Sequence, residues 1–299
     1  MFVNEAAGSV DDVARQSDDI RDAFVAAGVA ATVEPIDPAR LADEIRSTWG
    51  RGGIDVIVVA GGDGTISCAA GAVVDCGAVL GVLPMGTFNH FGKDLGVSTG
   101  LTDAAAQLAD AAVERVDVAE VNGRFFVNNA AIGVYPEMVE TRDEIRERRR
   151  WGKIRAVPAA MLQTLRRMPS HHLLITVDDE ARLAVSTSFV FVGNGLFDDG
   201  GDGVGSRPSL TTGRLGFYVI TATSRWRLVR DALRARFRGL GATREIDRRA
   251  VGALVIDTDE PTIAIALDGE PLTLETPLRF TTRPQALQVL RPPGSRDAG

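Results

Sequence analysis

Residues 54–65 read IDVIVVAGGDGT, an apolar run that passes directly into a glycine-rich loop. The run Ile54–Ala60 is apolar at nearly every position, as strands buried in parallel sheets are. Ligands of open α/β sheets bind beyond the carboxyl ends of the strands, where the loop Gly61–Thr65 must lie. Glycines there let backbone N–H groups cradle phosphate oxygens, and the N-terminus of a following helix favours negative charge. The stretch predicts a phosphate-binding α/β domain, with a plain strand-to-helix turn as the alternative.

Lysine is scarce, and this narrows the possible phosphate chemistry. The chain has two lysines, Lys93 and Lys153. The nearest approach to a Walker A loop, Gly86–Asp94, has five residues between its glycines instead of four and ends in Asp94 instead of Ser or Thr. Positive charge for a phosphate must therefore come from backbone amides, a metal ion or arginine. Asp63 would repel phosphate unless it holds a metal ion or a hydroxyl group.

The first third of the chain alternates helical and strand patterns. We predict helices over 11–27, 37–49 and 102–112 and strands over 30–34, 54–60 and 79–83. Asp37 is a good N-cap, and Pro38 suits the first helical position. The alternation predicts a parallel sheet covered on both faces.

After about residue 115 the pattern becomes β-rich. Asn122-Gly123 and Asp268-Gly269 are two-residue hairpin signals. Further strands are predicted over 173–177, 188–192, 215–220, 253–257, 262–267, 278–281 and 286–290, with helices near 142–168 and 226–239. We therefore expect an α/β nucleotide-binding domain with a parallel sheet over residues 1–115, followed by an antiparallel β domain.

Composition excludes several classes of protein. The chain has 299 residues and a net charge of −7, which argues against nucleic acid as a general partner. Neither a signal peptide nor a transmembrane helix is expected, so we expect a cytoplasmic protein. Cys68 and Cys76 are expected to be free thiols in a reducing compartment, with a disulfide as the alternative.

Two further polar segments are candidates for chemistry. The loop Pro84–Phe91 follows the next predicted parallel strand and should lie beside the first glycine loop, where Gly86, Thr87 and Asn89 offer hydrogen bonds. His90 in this loop has either a structural or a functional role. Leu267-Asp-Gly-Glu270 closes a hairpin, and the turn alone does not require its glutamate.

Together these segments resemble the diacylglycerol kinase catalytic family, in its bacterial soluble lipid kinase branch. The resemblance runs in order through nearly the whole chain and is carried by short motifs. They are Val3-Asn4 with Gly8-Ser9, Gly61-Gly-Asp-Gly-Thr65, Pro84-Met-Gly-Thr-Phe-Asn89, Val116-Asp117-Val with Phe126-Val-Asn128, and Leu267-Asp-Gly-Glu270. GGDGT alone also occurs in NAD kinases and phosphofructokinases, whereas its combination with P-x-G-T-x-N and a distant D-G-E is far more specific.

The resemblance implies a fold and an activity. The second domain, 116–282, would be a β-sandwich, and the last segment, 283–299, would return to the first domain. The cleft would hold ATP and Mg²⁺, and the hydroxyl of diacylglycerol or a similar lipid would receive the γ-phosphate, as in phospholipid biosynthesis.

The resemblance also implies roles for individual residues. Glu270 would be the general base, Asp63 would lie near the phosphates and the metal ion, and Asp117 would be a further acidic residue of the active site. His90 and Asp268 would face the acceptor substrate. The ATP site would be lined by Asn4, Gly8, Gly61, Gly62, Gly64, Thr65, Gly86, Thr87 and Asn89.

The chain departs from the family pattern at four places. His90 stands where relatives have aspartate, Asn4 is followed by Glu5 instead of proline, and Ser67-Cys68 replaces Asn-Glu. Thr211-Thr212-Gly213 replaces the Asp-Asp-Gly loop of a structural magnesium site, so we expect that site to be lost.

The negative net charge conceals two basic segments. Residues 141–168 and residues 224–250 each carry nine basic and three acidic side chains, together with helical apolar residues such as Trp151 and Trp226. Such segments suit peripheral binding to an anionic membrane, and solvated arginine faces are the alternative.

Three functions remain open at this point. The first is an ATP-dependent lipid kinase, and the second is a kinase of a soluble polyol or nucleotide. The third is a non-catalytic lipid- or nucleotide-binding relative, which the substitutions at His90, Thr211 and Thr212 favour and the presence of Asp63 and Glu270 disfavours.

Overall fold

A computed structural model describes residues 1–5, 10–133, 171–179, 181–187, 189–197, 207–220 and 246–295. The first domain contains β1 (Phe2–Asn4), α1 (Val10–Ala26), β2 (Glu34–Ile36), α2 (Leu41–Arg51), β3 (Ile57–Gly61), α3 (Asp63–Cys76), β4 (Val79–Pro84), α4 (His90–Asp94) and α5 (Leu101–Ala109). The β-rich part contains β5 (Ala112–Val121), β6 (Arg124–Phe126), β7 (Asn129–Gly133), β8 (His171–Val177), β9 (Ala181–Thr187), β10 (Phe189–Gly193), β11 (Leu215–Ile220), β12 (Ile246–Val251), β13 (Ala253–Asp257), β14 (Thr262–Leu267), β15 (Glu270–Glu275) and β16 (Leu278–Arg291).

The first four strands form the expected parallel sheet. Their order is β2-β1-β3-β4, with every neighbouring pair parallel. Helices and sheet enclose one apolar core, in which Ile20 and Ile45 contribute from helices and Val59 and Leu80 from strands. The buried, nearly continuous apolar character of β3 and β4 is that of central parallel strands.

The parallel sheet continues into antiparallel strands, which the sequence patterns do not indicate. β16 pairs parallel with β4 through Gln288 and Val289, and antiparallel with β13 and β5. β8 and β9 extend the same sheet, which becomes a ten-stranded mixed sheet. The last described strand thus completes the sheet of the first domain.

A second, entirely antiparallel sheet makes the β-sandwich. Its order is β12-β11-β10-β7-β14-β15. A second core joins the two layers, with Leu254 and Phe280 from the mixed sheet packed among Ile132, Phe217 and Ile265 from the antiparallel sheet. The α/β domain and the antiparallel β-sandwich are therefore both confirmed.

Strands β5 and β16 each run from one core to the other. In β5, Val118 belongs to the first core and Ala119 to the second; in β16, Phe280 belongs to the second core and Leu287 to the first. The register of the β5–β16 ladder shifts between Arg283 and Leu287, where a β-bulge interrupts the pairing. The strands predicted over 278–281 and 286–290 are consequently one strand.

Other differences from the predictions are local. The strand expected over 30–34 is β2, which begins only at Glu34, and the helix expected over 37–49 starts as a 3₁₀ turn capped by Asp37 before α2. Both hairpin turns are confirmed, with positive φ at Asn122-Gly123 and at Asp268-Gly269. β7, β9 and β12 are not expected from the sequence patterns, whereas β15 is the second strand of the predicted Asp268-Gly269 hairpin. The helices predicted near 142–168 and 226–239 lie outside the described residues.

Candidate functional site

The first glycine loop is a tight turn in which side chains are excluded. A Cβ atom on Gly61 would lie 2.7 Å from the Cβ of Thr65. Gly62 is the N-cap of α3, and Thr65 Oγ1 accepts a hydrogen bond of 2.9 Å from Asn4 Nδ2 on β1. The N–H groups of the first turn of a helix have no partner within the helix, so this turn can receive an anion.

The second loop packs directly against the first. A Cβ atom on Gly86 would lie 2.6 Å from the Cα of Gly62, so only glycine permits this backbone approach. Asn89, which is buried and has a positive φ of 53°, accepts the Gly86 N–H at 2.7 Å and donates to the Gly86 carbonyl at 2.9 Å. The expected neighbourhood of the two loops is thus present, and Asn89 shapes the second loop.

Asp63 joins the two loops through both oxygens of its carboxylate. Its Oδ2 accepts the Asn89 N–H at 3.0 Å, and its Oδ1 accepts the His90 N–H at 2.8 Å. Hydrogen bonds from amides to a charged acceptor are stronger than those between neutral groups. Asp63 therefore holds the second loop and the start of α4, a role that the sequence patterns do not indicate.

Glu270 reaches the first glycine loop from the other domain. It begins β15, immediately after the Asp268-Gly269 turn, and its side chain is exposed. A Cβ atom on Gly64 would lie 2.7 Å from Glu270 Oε1. The structure therefore brings a carboxylate of the β-sandwich against the turn that begins α3.

Asp268 is buried and anchors the turn that carries Glu270. Its Oδ2 accepts the Val127 N–H at 2.8 Å, and its Oδ1 accepts those of Asn128 and Asn129 at 2.8 and 2.7 Å. Burial raises the pKa of Asp268, while hydrogen bonds from Ser67 and these three amides act in the opposite direction. Because three backbone N–H groups donate to its carboxylate, Asp268 fixes the orientation of the turn that carries Glu270.

Asp117 lies at the junction of β5 with the bulge of β16. Its side chain is buried, its Oδ2 accepts the Gly213 N–H at 2.6 Å, and its Oδ1 accepts the Gln285 N–H at 2.9 Å. Gln285 is the bulge residue with a positive φ of 52°. The carboxylate expected in the active site thus ties three backbone segments together.

Aromatic rings mark the outer side of the second loop. Phe88 is 64% exposed, and its ring stacks on that of His90 with centroids 5.7 Å apart. Thr87, between Gly86 and Phe88, is exposed. Phe88 and Thr87 therefore form a solvent-exposed surface on the second loop.

The sequence patterns do not identify Arg207, which is buried between the domains. Its guanidinium forms an ion pair with Asp94 on α4 at 2.7 Å and also donates to the carbonyls of Val127 and Asn194. No motif or spacing points to this arginine, because its partners are two distant carbonyls and a carboxylate from the other domain.

Several expected features cannot be located. Gly8 lies outside the described residues, as do 141–168 and most of 224–250. Among the described residues, no three histidine, cysteine, aspartate or glutamate side chains group closely enough to hold a metal ion.

In the same part of the chain, no helix combines the length and apolarity needed to span a bilayer. Cys68 and Cys76 are free thiols.

Comparison with known families accounts for both domains. The diacylglycerol kinase catalytic domain matches residues 1–121, and the YegS C-terminal NAD kinase beta sandwich-like domain matches residues 136–291. This chain belongs to the diacylglycerol kinase catalytic family, in its bacterial lipid kinase branch. Kinase-type enzymes that use a nucleotide as phosphoryl donor make up this family.

Individual relatives agree with this family membership. "Putative lipid kinase SH2167" of Staphylococcus haemolyticus is 30% identical over 79% of this chain and 76% of its own length. "Putative lipid kinase SAS0691" of Staphylococcus aureus is 26% identical over 79% and 77%. The crystal structure of a "putative diacylglycerol kinase" from Bacillus anthracis shares the fold, with a TM-score of 0.76 and 22% identity over 99% of this chain and 97% of its own.

Proposed function

We propose that this family member is an ATP-dependent lipid kinase that phosphorylates a hydroxyl group of diacylglycerol or a similar lipid. The observation that carries the proposal is the approach of Glu270 to Gly64, which joins a carboxylate from the sandwich to the glycine loop of the nucleotide domain. Phosphoryl transfer depends mainly on positioning and charge stabilisation, for which such a junction is suited.

Glu270 is the general base of this proposal. Its carboxylate accepts the proton of the acceptor hydroxyl as that oxygen attacks the phosphoryl group. The side chain is exposed at the start of a strand, so an acceptor can reach it. Asp268 fixes the orientation of Glu270, because it anchors their common turn to the N–H groups of Val127 and Asn129.

The two glycine loops form the phosphate site of the proposal. The close contact of Gly62 with Gly86 brings the backbones of the two loops together with no side chain between them. Backbone N–H groups of such glycine turns can bind the phosphates of ATP. Asn4 and Thr65 support the first loop, while Thr87 and Asn89 belong to the second. ATP supplies the transferred γ-phosphoryl group, and ADP is the leaving group.

Mg²⁺ fits this site as a companion of the nucleotide. Magnesium usually binds to one or two carboxylates together with substrate phosphates, without a protein cage. Asp63 is the carboxylate of the glycine loop, and each of its oxygens keeps a lone pair beyond its amide contact. We propose that the main role of Asp63 is to position the second loop, and that it contacts the metal ion only through the remaining lone pairs of its carboxylate oxygens.

Asp117 has a positioning role in this scheme. Because both its oxygens accept backbone amides at the β5–β16 junction, it sets the relative placement of the two domains. His90, whose amide bonds to Asp63, presents its ring with Phe88 at the entrance to the loops, where we propose that it contacts the acceptor.

The basic segments 141–168 and 224–250 suggest how a lipid substrate is reached. Their positive charge and tryptophans suit the surface of an anionic bilayer. We propose peripheral attachment, and we expect sedimentation with vesicles containing anionic phospholipid to exceed sedimentation with neutral vesicles. Equal sedimentation with both kinds of vesicle would contradict this attachment.

One assay tests the proposed reaction. The protein is incubated with γ-labelled ATP, Mg²⁺ and mixed micelles of single lipids, with soluble polyols in parallel, and the labelled product is identified. We expect one labelled lipid from the native protein, formed roughly 10²- to 10⁴-fold more slowly by Glu270→Gln. A labelled polyol would support a soluble-substrate kinase, and nucleotide binding without any product would support a non-catalytic relative.

A further inference from the structure

Arg207 forms a buried ion pair between the two domains. Its Nη2 lies 2.7 Å and its Nε 2.9 Å from Asp94 Oδ2, and its own N–H donates to Asp94 Oδ1 at 3.3 Å. The two side chains are 0% and 3% exposed. Asp94 is the last residue of α4, the helix that begins at His90 and follows the second glycine loop. Arg207 is thereby attached to the nucleotide domain.

The same guanidinium is attached to the segment that holds the Glu270 turn. Its Nη1 donates to the carbonyls of Val127 and Asn194, the latter at 2.8 Å. The N–H groups of Val127–Asn129 in turn bind Asp268, two residues before Glu270. Arg207 therefore binds the carbonyl side of the segment Val127–Asn129, whose N–H groups hold Asp268 and with it the turn that carries Glu270.

These contacts form a closed chain through both domains. We call the region that they surround, between the Glu270 turn and the second glycine loop, the cleft. From Arg207 one path runs through Asp94 and α4 to the amides of Asn89 and His90. Those amides bind Asp63, beside Gly64, which Glu270 contacts. The other path returns from Glu270 through Asp268 and Val127–Asn129 to Arg207. Any displacement of Arg207 therefore acts on both sides of the cleft.

We propose that Arg207 is a positioning residue that keeps the Glu270 turn and the second glycine loop in register with each other. The inference rests on the proposed function for its catalytic meaning, since register matters only if transfer occurs between these two sides. Misplacement of reacting groups by about 1 Å can cost roughly 10²-fold in rate. The planar guanidinium suits the task, because it donates to a carboxylate and to carbonyls in fixed directions at once.

Charge alone does not account for this arrangement. A buried ion pair can often be replaced by apolar residues without loss of stability, whereas removal of one partner leaves an uncompensated charge. Two variants separate the effect of charge from that of the guanidinium hydrogen bonds. Arg207→Lys keeps the charge opposite Asp94 but loses the fork, and the double variant Asp94→Leu with Arg207→Met removes both charges and all guanidinium bonds.

The test compares these variants with Arg46→Lys, whose arginine pairs with Asp43 and Asp75 on the surface. Thermal unfolding, the Kd of ATP, the kcat for the lipid product and amide hydrogen exchange are measured for each. For Arg207→Lys and the double variant we expect kcat to fall by about 10- to 100-fold. We also expect faster exchange both at Asn89–His90 and at Val127–Asn129. The control should match the native protein.

The outcomes separate the inference from the proposed function. A folded double variant with native kcat would show that Arg207 only balances the charge of Asp94, and would overturn the inference. Exchange that rises on one side of the cleft alone, or on neither, would also overturn it, whether or not a lipid substrate is found. If the native protein phosphorylates no lipid, the proposed function fails, while faster exchange on both sides still supports the coupling by Arg207.

Discussion

The Glu270 carboxylate occupies the space beside Gly64 that a side chain on the helix would fill. Gly64 belongs to the first turn of α3, and Glu270 begins a strand of the sandwich. Glycine is less favourable than alanine within helices, so its presence at position 64 is explained by the space that Glu270 needs and not by the helix. This contact joins the proposed base to the proposed phosphate site.

Replacement of Glu270 by glutamine tests the general base. Glu270→Gln should lower kcat by roughly 10²- to 10⁴-fold, because the amide cannot accept the hydroxyl proton, while the Kd of ATP stays unchanged. Glu275→Gln, an exposed change at the other end of β15, is the matched control. Native turnover by Glu270→Gln would remove Glu270 from the catalytic role.

A single methyl group tests the contact with Gly64. Gly64→Ala would place a Cβ 2.7 Å from Oε1, so the exposed carboxylate must move and kcat should fall by about tenfold or more. Its effect on the free energy of unfolding should be small, because only the end of a flexible side chain is displaced. Gly71→Ala on the same helix meets Phe125 at an ordinary 3.6 Å and should leave kcat native. Equal kcat in the two variants would contradict the prediction.

Asp63 can be tested as a link between the two loops. Asp63→Asn replaces one acceptor oxygen with an N–H₂ group that faces a backbone donor, so the free energy of unfolding should fall by about 1–3 kcal/mol. The loops should separate, and the Kd of ATP measured without Mg²⁺ should rise. Asp55→Asn, before β3 at the opposite end of the strand, is the control. A change confined to the Mg²⁺ requirement would instead identify Asp63 as a metal ligand only.

Asp268 predicts a particular pH dependence of stability. Burial raises its pKa from the ordinary 3.8, so the folded state retains this proton at pH values at which the unfolded chain has released it. Its contribution to the free energy of unfolding is therefore full below pH 3.8 and falls as the pH rises through the higher, folded-state pKa.

Urea unfolding at a series of pH values measures this contribution. Because Asp268→Asn cannot titrate, its free energy of unfolding should change less with pH than that of the native protein across that window. The variant should also be less stable by a constant amount at every pH, since asparagine cannot accept all of the amide hydrogen bonds. Parallel pH profiles for the two proteins would show that Asp268 does not contribute in this way.

The sequence predicts the α/β domain well because its signals are local. Apolar continuity and glycine spacing in residues 54–65 identify a buried strand and a turn. The strand predicted over 54–60 is β3, which begins only at Ile57, since Ile54 is exposed. The Asp268-Gly269 turn is likewise recognisable, because a tight hairpin restricts its own residue types. The resemblance to a known family then groups Glu270 with Asp63, which no local pattern could do.

The remaining features depend on contacts between distant segments. β16 was predicted as two strands because Pro284 and Gln285 interrupt the apolar alternation, whereas the ladder to β5 continues across the bulge. Arg207 gives no sequence signal, because its environment is set by Asp94 and two carbonyls from elsewhere in the fold. The amide contacts of Asp63 and Asp117 are equally invisible in the sequence.

The position of β16 has a consequence for the order of folding during synthesis. β16 follows every other described element in the chain, yet its Leu287 and Val289 fill the core of the first domain and it pairs with β4. A nascent chain that has emerged as far as β15 therefore exposes the edge of β4 and an incomplete core. We expect the nucleotide domain to remain immature on the ribosome until β16 has left the exit tunnel, so that both halves of the enzyme are completed together.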